Sequence, residues 1–189
     1  MISGLGFINF SLNLKTYEYG VFGFYLILSA YWSIGASIDF GFGVSSIKNI
    51  AEALKAGDYF RINKVINTFL FTYIIVGLLI CSVIYSLFYL YDSVRTTDYT
   101  DYDINLLLLF FGLGFISRYI AGFLITVYEG LSEFVLVSKI NLSLTFFNTV
   151  LTVIIFIFKL SLYYLVGSQF IYALFLFLIL LFRLNSMEK

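Results

Sequence analysis

Long apolar runs, separated by short polar turns, dominate the chain. They predict helices at residues 2–14, 20–38, 65–91, 104–128, 140–160 and 162–182. An α-helix rises about 1.5 Å per residue, so about 20 apolar residues cross a hydrocarbon layer roughly 30 Å thick. The first run is too short for this, and we interpret it as the truncated end of a first transmembrane helix. The sequence has no alternating pattern of the barrel type. It therefore predicts an all-α integral membrane bundle of about six transmembrane helices, in one domain over residues 1–189.

Glycines follow the second apolar run and predict a break in the helix. Asp39 is followed by Gly41 and Gly43, a pattern typical of a helix C-cap or a hinge. The Asp39 carboxylate either fixes this turn through backbone hydrogen bonds or carries a cation or proton.

A charged helix is predicted next, over residues 45–56. Its apolar positions fall on one helical face and its charged positions on the other. Such a helix either lies along the bilayer surface or packs as a short solvated helix on the cytoplasmic face. Ser45 or Ser46 is the expected N-cap, Gly57 the expected stop, and Asp58 the expected N-cap of the following helix.

The composition excludes several classes of function. Hydrophobic residues make up 61% of the 189 residues and charged residues only 12%, so the surface must face lipid. The net charge is zero, which leaves no electrostatic footprint for nucleic acid. The chain has no histidine and one cysteine, Cys81, so neither an internal disulfide nor a metal cluster is expected. It also lacks a glycine-rich phosphate loop and a nucleophile–base pair, so we expect a non-enzyme without a cofactor.

The basic residues predict the orientation of the chain. If the polar segment after the second helix is inside, the outside carries three basic residues, Lys15, Arg95 and Lys159. The inside then carries seven, namely Lys48, Lys55, Arg61, Lys64, Lys139, Arg183 and Lys189. This arrangement satisfies the positive-inside rule. It predicts a multi-pass protein of the cytoplasmic (inner) membrane with both termini in the cytoplasm.

Arg118 interrupts the fourth apolar segment. A cation at the centre of a membrane helix costs about 2.5–3.5 kcal/mol on insertion scales, so Arg118 should face a cavity or a partner rather than lipid. It either contacts a substrate or pairs with a carboxylate or with helix-end carbonyls inside the bundle. Glu129 lies on nearly the same helical face, about 16 Å further along. It either lines a common path with Arg118 or is an interfacial carboxylate in a loop.

The fifth segment carries a polar stripe. Asn141, Thr145, Asn148 and Thr152 recur at intervals of four, three and four residues, which places them on one helical face. A polar face on a membrane helix turns toward water or toward other helices, so the stripe either lines a cavity or makes interhelical hydrogen bonds. The sixth segment is interrupted only at residues 167–169, and we expect it to be largely lipid-facing.

Several short motifs follow one another with a spacing that fits this topology. They are Tyr19-Gly20-x-Phe22, Asp39-Phe40-Gly41-Phe42-Gly43, Ile50-Ala51, Gly57-Asp58 and the stretch Tyr128-Glu129-Gly130-Leu131-x-Glu133-Phe134 through Lys139-Ile140. In this order they resemble the N-terminal half of polysaccharide-transporter flippases. These include the O-antigen and capsule oligosaccharide flippases of the multidrug/oligosaccharidyl-lipid/polysaccharide exporter superfamily. Together the motifs cover most of the chain.

The resemblance implies a transporter that moves polyprenyl pyrophosphate-linked oligosaccharides across the membrane by alternating access. The family has two six-helix bundles around a central cavity, so this chain would be a fragment or a half-transporter that needs a second half. In this setting Arg118 would bind the pyrophosphate, and Glu129 would lie at the cytoplasmic mouth of the path. The stripe of the fifth segment would bind sugar hydroxyls, and Asp39 with its glycines would serve coupling or act as a hinge.

Two other functions remain open from the sequence. One is a multidrug or small-molecule exporter of the same superfamily, although an exporter of cationic drugs should have carboxylates deep in the membrane, where this chain has Arg118. The other is a non-transporting scaffold of a glycan-synthesis complex, which would agree with the half length. A membrane glycosyltransferase is less well supported, because the acidic loop 92–103 is short. The expected partners are the lipid-linked sugar, membrane lipids and a second transporter half or a glycan polymerase.

Overall fold

All secondary structure that the computed structural model describes is α-helical, within residues 23, 25–30, 33, 41–94 and 104–187. The five long helices are α1 (Phe42–Lys55), α2 (Tyr59–Val94), α3 (Ile104–Gly130), α4 (Phe134–Ile157) and α5 (Leu162–Met187). Residues 23, 25–30 and 33 are also helical. Four helices, α2 to α5, are long and apolar enough to cross a membrane. The predicted all-α membrane bundle is confirmed, while the helix expected at 2–14, most of 20–38, and Asp39 lie outside the described residues.

Among the described helices, α3 and α5 form the centre of the bundle and pack against each other more extensively than any other pair. They run parallel: the Phe110 and Phe170 ring centroids are 6.0 Å apart, and the Tyr128 hydroxyl donates to the Leu180 carbonyl at 2.8 Å. Leu176 and Leu180 on α5 are almost completely buried. The expectation that the last segment is largely lipid-facing is therefore wrong. Lipid and protein interior are both apolar, so a uniformly apolar sequence does not reveal which face is buried.

Helix α1 packs lengthwise against α2 and α3. The ring of Phe42 lies 6.4 Å from the ring of Tyr73 on α2, between centroids. The Ser46 and Thr126 hydroxyl oxygens are 3.0 Å apart, which joins α1 to α3. One turn further along α1, Ile50 lies directly over Gly130 at the end of α3. Because α1 follows the direction of its neighbours, it packs lengthwise on the bundle and does not lie along the bilayer surface, as one of the two interpretations expected.

The ends of α1 are defined by two glycines in the left-handed region. Gly41, with φ of +76°, is the N-cap, and no side chain caps this end; the expected N-cap at Ser45 or Ser46 is therefore wrong. Gly43 is buried within the first turn of α1. The predicted stop at Gly57 is confirmed: its φ is +68°, and the Asp58 amide donates to the Ala53 carbonyl in a Schellman motif. The Asp58 carboxylate then accepts the Arg61 amide at 2.9 Å, which confirms it as the N-cap of α2.

The described basic residues are distributed unequally between the two ends of the bundle. One end, hereafter the basic end, contains the α1–α2 turn, the α3–α4 turn and the last turns of α5. It carries Lys48, Lys55, Arg61, Lys64, Lys139 and Arg183, whereas the opposite end carries Lys159 among the described residues. The helix directions thus bring together basic residues that are far apart in the sequence, as the positive-inside rule expects of one side of a membrane protein.

Candidate functional site

Arg118 lies near the middle of α3, roughly 20 Å from each end of the helix. The other charged residues of the four candidate spans, as far as they are described, lie within about two turns of a span end. The side chain of Arg118 is half-buried, and its Cζ atom lies 5.9 Å from the centroid of the Tyr172 ring on α5. Its Nη1 atom is buried and has no hydrogen-bond partner among the described residues. Arg118 thus retains hydrogen-bonding capacity at the depth where an uncompensated cation is most costly.

The polar stripe of α4 faces the inside of the bundle. Asn141, Thr145 and Asn148 are half-buried and Thr152 is buried, whereas Phe146 on another face of α4 is 67% exposed. The hydroxyl of Thr152 donates to the carbonyl of Asn148, one turn earlier in the same helix, at 2.9 Å. Thr152 is therefore satisfied by its own helix, whereas the two asparagines reach across to α5.

Two side chains of α5 meet the stripe. The Tyr172 hydroxyl donates to Asn141 Oδ1 at 3.0 Å, and Asn148 Nδ2 donates to Gln169 Oε1 at 3.4 Å. Tyr172 therefore contacts Asn141 with its hydroxyl and Arg118 with its ring, and so links α3, α4 and α5. We call Arg118, Asn141, Asn148, Gln169 and Tyr172 the polar cluster.

The sequence pattern does not single out Tyr172 as a site residue, and Gln169 stands out only as part of the interruption of an apolar run at residues 167–169. The two residues are three positions apart on α5, which places them on one helical face. That spacing is a signal for a polar face, although tyrosine is frequent enough in this chain, with 16 residues, to make it weak.

The Asn148–Gln169 pair lies between two cavities. One, of about 220 Å³, is lined by Leu144, Phe147, Asn148, Leu151, Ser168, Ile171, Tyr172 and Phe175. The other, of about 210 Å³, is lined by Tyr25, Leu28, Ser29, Ser33, Phe111, Val166 and Gln169. Each is below the roughly 300 Å³ of a typical ligand pocket. The walls of the first cavity are apolar, whereas the second also exposes polar surface, so the second is the better suited to a small polar group or a few water molecules. Asn148 Oδ1 is buried without a hydrogen-bond partner among the described residues.

The remaining residues singled out from the sequence lie away from the polar cluster. Glu129 is half-buried near the C-terminal end of α3, and no ion pair joins it to Arg118 in the described part of the chain. Its carbonyl accepts the Ser132 amide in the turn that leads to α4. Gly41 and Gly43 lie at the start of α1 and line neither of the two cavities. Asp39 lies outside the described residues.

The arrangement brings a cation, carboxamides and a phenol close together on three helices, although Arg118 lines neither of the two cavities. In the described part of the chain, no group of three His, Cys, Asp or Glu side chains is placed to hold a metal ion. Comparisons of the chain with protein-family models, with curated proteins and with solved structures find no match.

Proposed function

We propose that this chain is a helical bundle of a flippase that moves a lipid-linked oligosaccharide across the cytoplasmic membrane. The observation that carries the proposal is Arg118: a cation at mid-span, with a buried guanidinium nitrogen that has no protein partner among the described residues. A membrane protein that keeps such a costly group has a use for it. A guanidinium binds a phosphate through paired hydrogen bonds, and a lipid-linked sugar carries a phosphate or pyrophosphate at the head of its lipid.

The polar cluster supports the same substrate class. Asn141 and Asn148 bear carboxamides, which both donate and accept hydrogen bonds, as sugar hydroxyls require of a partner. The lipid tail of the substrate would stay in the bilayer while its headgroup passes the cluster. Alternating access would come from rocking of this bundle against a second one. The basic end would be cytoplasmic, with both termini on that side, and a glycan polymerase is a further candidate partner.

The test replaces Arg118 in the full-length gene product, in the cell that makes it. We expect Arg118→Ala to lower export of the surface glycan by roughly 10- to 100-fold, because a charge-assisted hydrogen bond contributes about 1.5–3 kcal/mol. Lipid-linked precursor should accumulate on the cytoplasmic side. Arg118→Lys should retain part of the activity, because it keeps the charge and loses the planar fork.

Lys159→Ala is the matched control, since it removes an exposed cation far from the polar cluster. Normal glycan export by Arg118→Ala at normal protein level would contradict the substrate role. If Arg118→Ala exports glycan normally and deletion of the chain disrupts the glycan-synthesis complex, the scaffold function would be selected instead. Loss of dye efflux with unchanged glycan export would select the small-molecule exporter.

A further inference from the structure

We propose that the α1–α2 hairpin carries a docking surface for anionic lipid headgroups. The hairpin surface consists of the exposed residues Lys48, Lys55, Tyr59, Phe60, Arg61 and Lys64. It lies on the basic end and outside the polar cluster, so the proposal does not depend on the proposed function.

The packing of α1 fixes its cations outward. Lys48 and Lys55 are two turns apart on one face of α1, and the Lys48 side chain is 77% exposed. The opposite face holds Ser46, Ile50 and Ala53, which are completely buried against α2 and α3. Because α1 cannot rotate without exposing that face, its lysines remain at the surface.

Glu52 joins the charges of the two helices into one surface. Its carboxylate lies 4.0 Å from Lys48 Nζ and 3.6 Å from Arg61 Nη2 on α2. All three side chains are about half exposed or more, so these pairs are screened by water and leave both cations available to an external anion. Asp58 caps the Arg61 amide and keeps its negative charge, so the hairpin carries four cations, Lys48, Lys55, Arg61 and Lys64, against the two carboxylates Glu52 and Asp58.

Two exposed aromatic residues lie beside the cations. Tyr59 is 71% exposed and Phe60 81% exposed, at the start of α2. Aromatic side chains concentrate at the level of lipid headgroups, where an apolar ring and a polar surrounding meet. Further along α2, Phe71 and Leu79 are exposed apolar residues within a candidate span, which places the hairpin surface where the hydrocarbon begins.

This combination favours a lipid over free phosphate. Cations near an anionic leaflet attract its headgroups, and the rings can insert at the acyl boundary. A soluble anion would use only the cations. The occupant we infer is therefore a phospholipid with a net negative headgroup, in the leaflet next to the basic end.

The experiment measures lipid retention by the full chain, purified in neutral detergent, with native mass spectrometry. The probes are phosphatidylglycerol and phosphatidylcholine of the same acyl chains. We expect preferential retention of phosphatidylglycerol. Each neutralised cation should weaken phosphatidylglycerol retention by about fivefold. The triple variant Lys48→Gln/Lys55→Gln/Lys64→Gln should therefore retain phosphatidylglycerol on the order of 100-fold more weakly.

Lys159→Gln is the matched control, because it neutralises a cation at the opposite end and should leave phosphatidylglycerol retention unchanged. Circular dichroism of the variants in detergent alone checks that the exposed substitutions leave the helices intact. Equal retention of the two lipids, or equal loss in Lys159→Gln and Lys64→Gln, would overturn the proposal. Displacement of the lipid by millimolar inorganic phosphate would overturn the choice of a lipid over a free anion. Glycan export is not a readout here, so failure of the flippase proposal leaves this test unaffected.

Discussion

The contact between α1 and the end of α3 gives the sharpest prediction for stability. A Cβ atom added to Gly130 would lie 2.8 Å from Ile50 Cβ, 2.9 Å from Ile50 Cγ2 and 3.3 Å from the Ile47 carbonyl oxygen. Ile50 is β-branched and completely buried, and its Cβ cannot move away by rotation. In Gly130→Ala, the backbone of α1 must therefore shift away from α3.

The expected loss follows from two opposing effects. Overpacking of this kind costs about 1–3 kcal/mol, while replacing a helical glycine by alanine gains at most about 1 kcal/mol. We therefore expect Gly130→Ala to lower the free energy of unfolding by about 1–2 kcal/mol. Gly122→Ala in the same helix is the matched control. Among the described residues, and apart from the backbone of its own helix, no atom lies within 4 Å of its added Cβ, so Gly122→Ala should be neutral or slightly stabilising.

A double-mutant cycle in reversible unfolding from mixed detergent micelles measures the contact directly. Ile50→Gly alone should cost about 3–6 kcal/mol, because it leaves a cavity in a buried position and adds the cost of glycine in a helix. In the double variant neither the Cβ nor the Cγ2 of residue 50 opposes the new methyl group of residue 130, so the total loss should fall short of the sum by about 1–2 kcal/mol. Strict additivity, or equal stabilities of Gly130→Ala and Gly122→Ala, would refute the packing of α1 on α3.

Three further predictions use the same unfolding assay. Tyr128→Phe should cost about 1 kcal/mol, because the buried hydroxyl donates to the Leu180 carbonyl at 2.8 Å; an unchanged stability would mean that this bond contributes nothing. Gly57→Ala should lower the free energy of unfolding by about 1 kcal/mol, because alanine is disfavoured at the φ of +68°, and Gly57→Asn should lower it less. Equal losses in the two variants would count against the left-handed turn. Asn148→Leu should change the free energy of unfolding by less than about 0.5 kcal/mol, because the side-chain hydrogen bond that its carboxamide makes within the described residues is long, yet it should reduce glycan export. Reduced export with an equally large loss of stability would favour a structural role.

The sequence predicts the existence and order of the helices well and their ends less well. The run at 65–91 corresponds to α2, which begins earlier, at Tyr59, because its first turns carry Arg61 and Lys64. The run at 140–160 corresponds to α4, which begins at Phe134, within the polar turn expected there. An apolar run marks the part of a helix inside hydrocarbon, whereas backbone hydrogen bonding continues through the polar residues beyond it.

What the sequence could not predict is which apolar faces are buried. Leu176 and Leu180 on α5 are completely buried, whereas Leu142 on α4 is 64% exposed. All three are leucines in runs of similar hydropathy, because helix association within lipid depends on the shapes of the packed surfaces rather than on a difference in hydrophobicity. The polar residues of the α4 stripe, in contrast, predict that this face turns inward. They do not predict which residue of another helix it meets, so its contact with Tyr172 could not be predicted.

Within the described residues, the motifs that resemble flippases consist mainly of packing residues of one corner of the bundle. Ile50 from one motif lies directly against Gly130 from another, although 80 positions separate them. Gly57 and Asp58 from a third form the turn that joins α1 to α2. These residues therefore explain why such a sequence builds this corner, and they do not bear on the function of the bundle.

Arg118 belongs to none of the quoted motifs, and its contact with Tyr172 lies between α3 and α5 instead. Substitutions that affect folding and substitutions that affect the proposed function should therefore be distinguishable by experiment. Substitution of Gly130 should lower stability, and export should fall in proportion to the folded protein that remains. Substitution of Arg118 should lower export at constant protein level, because removing a half-buried mid-span cation relieves a cost rather than a packing contact. If Arg118→Ala unfolded the bundle as readily as Gly130→Ala does, the cation would be a structural element and not a binding group for a substrate.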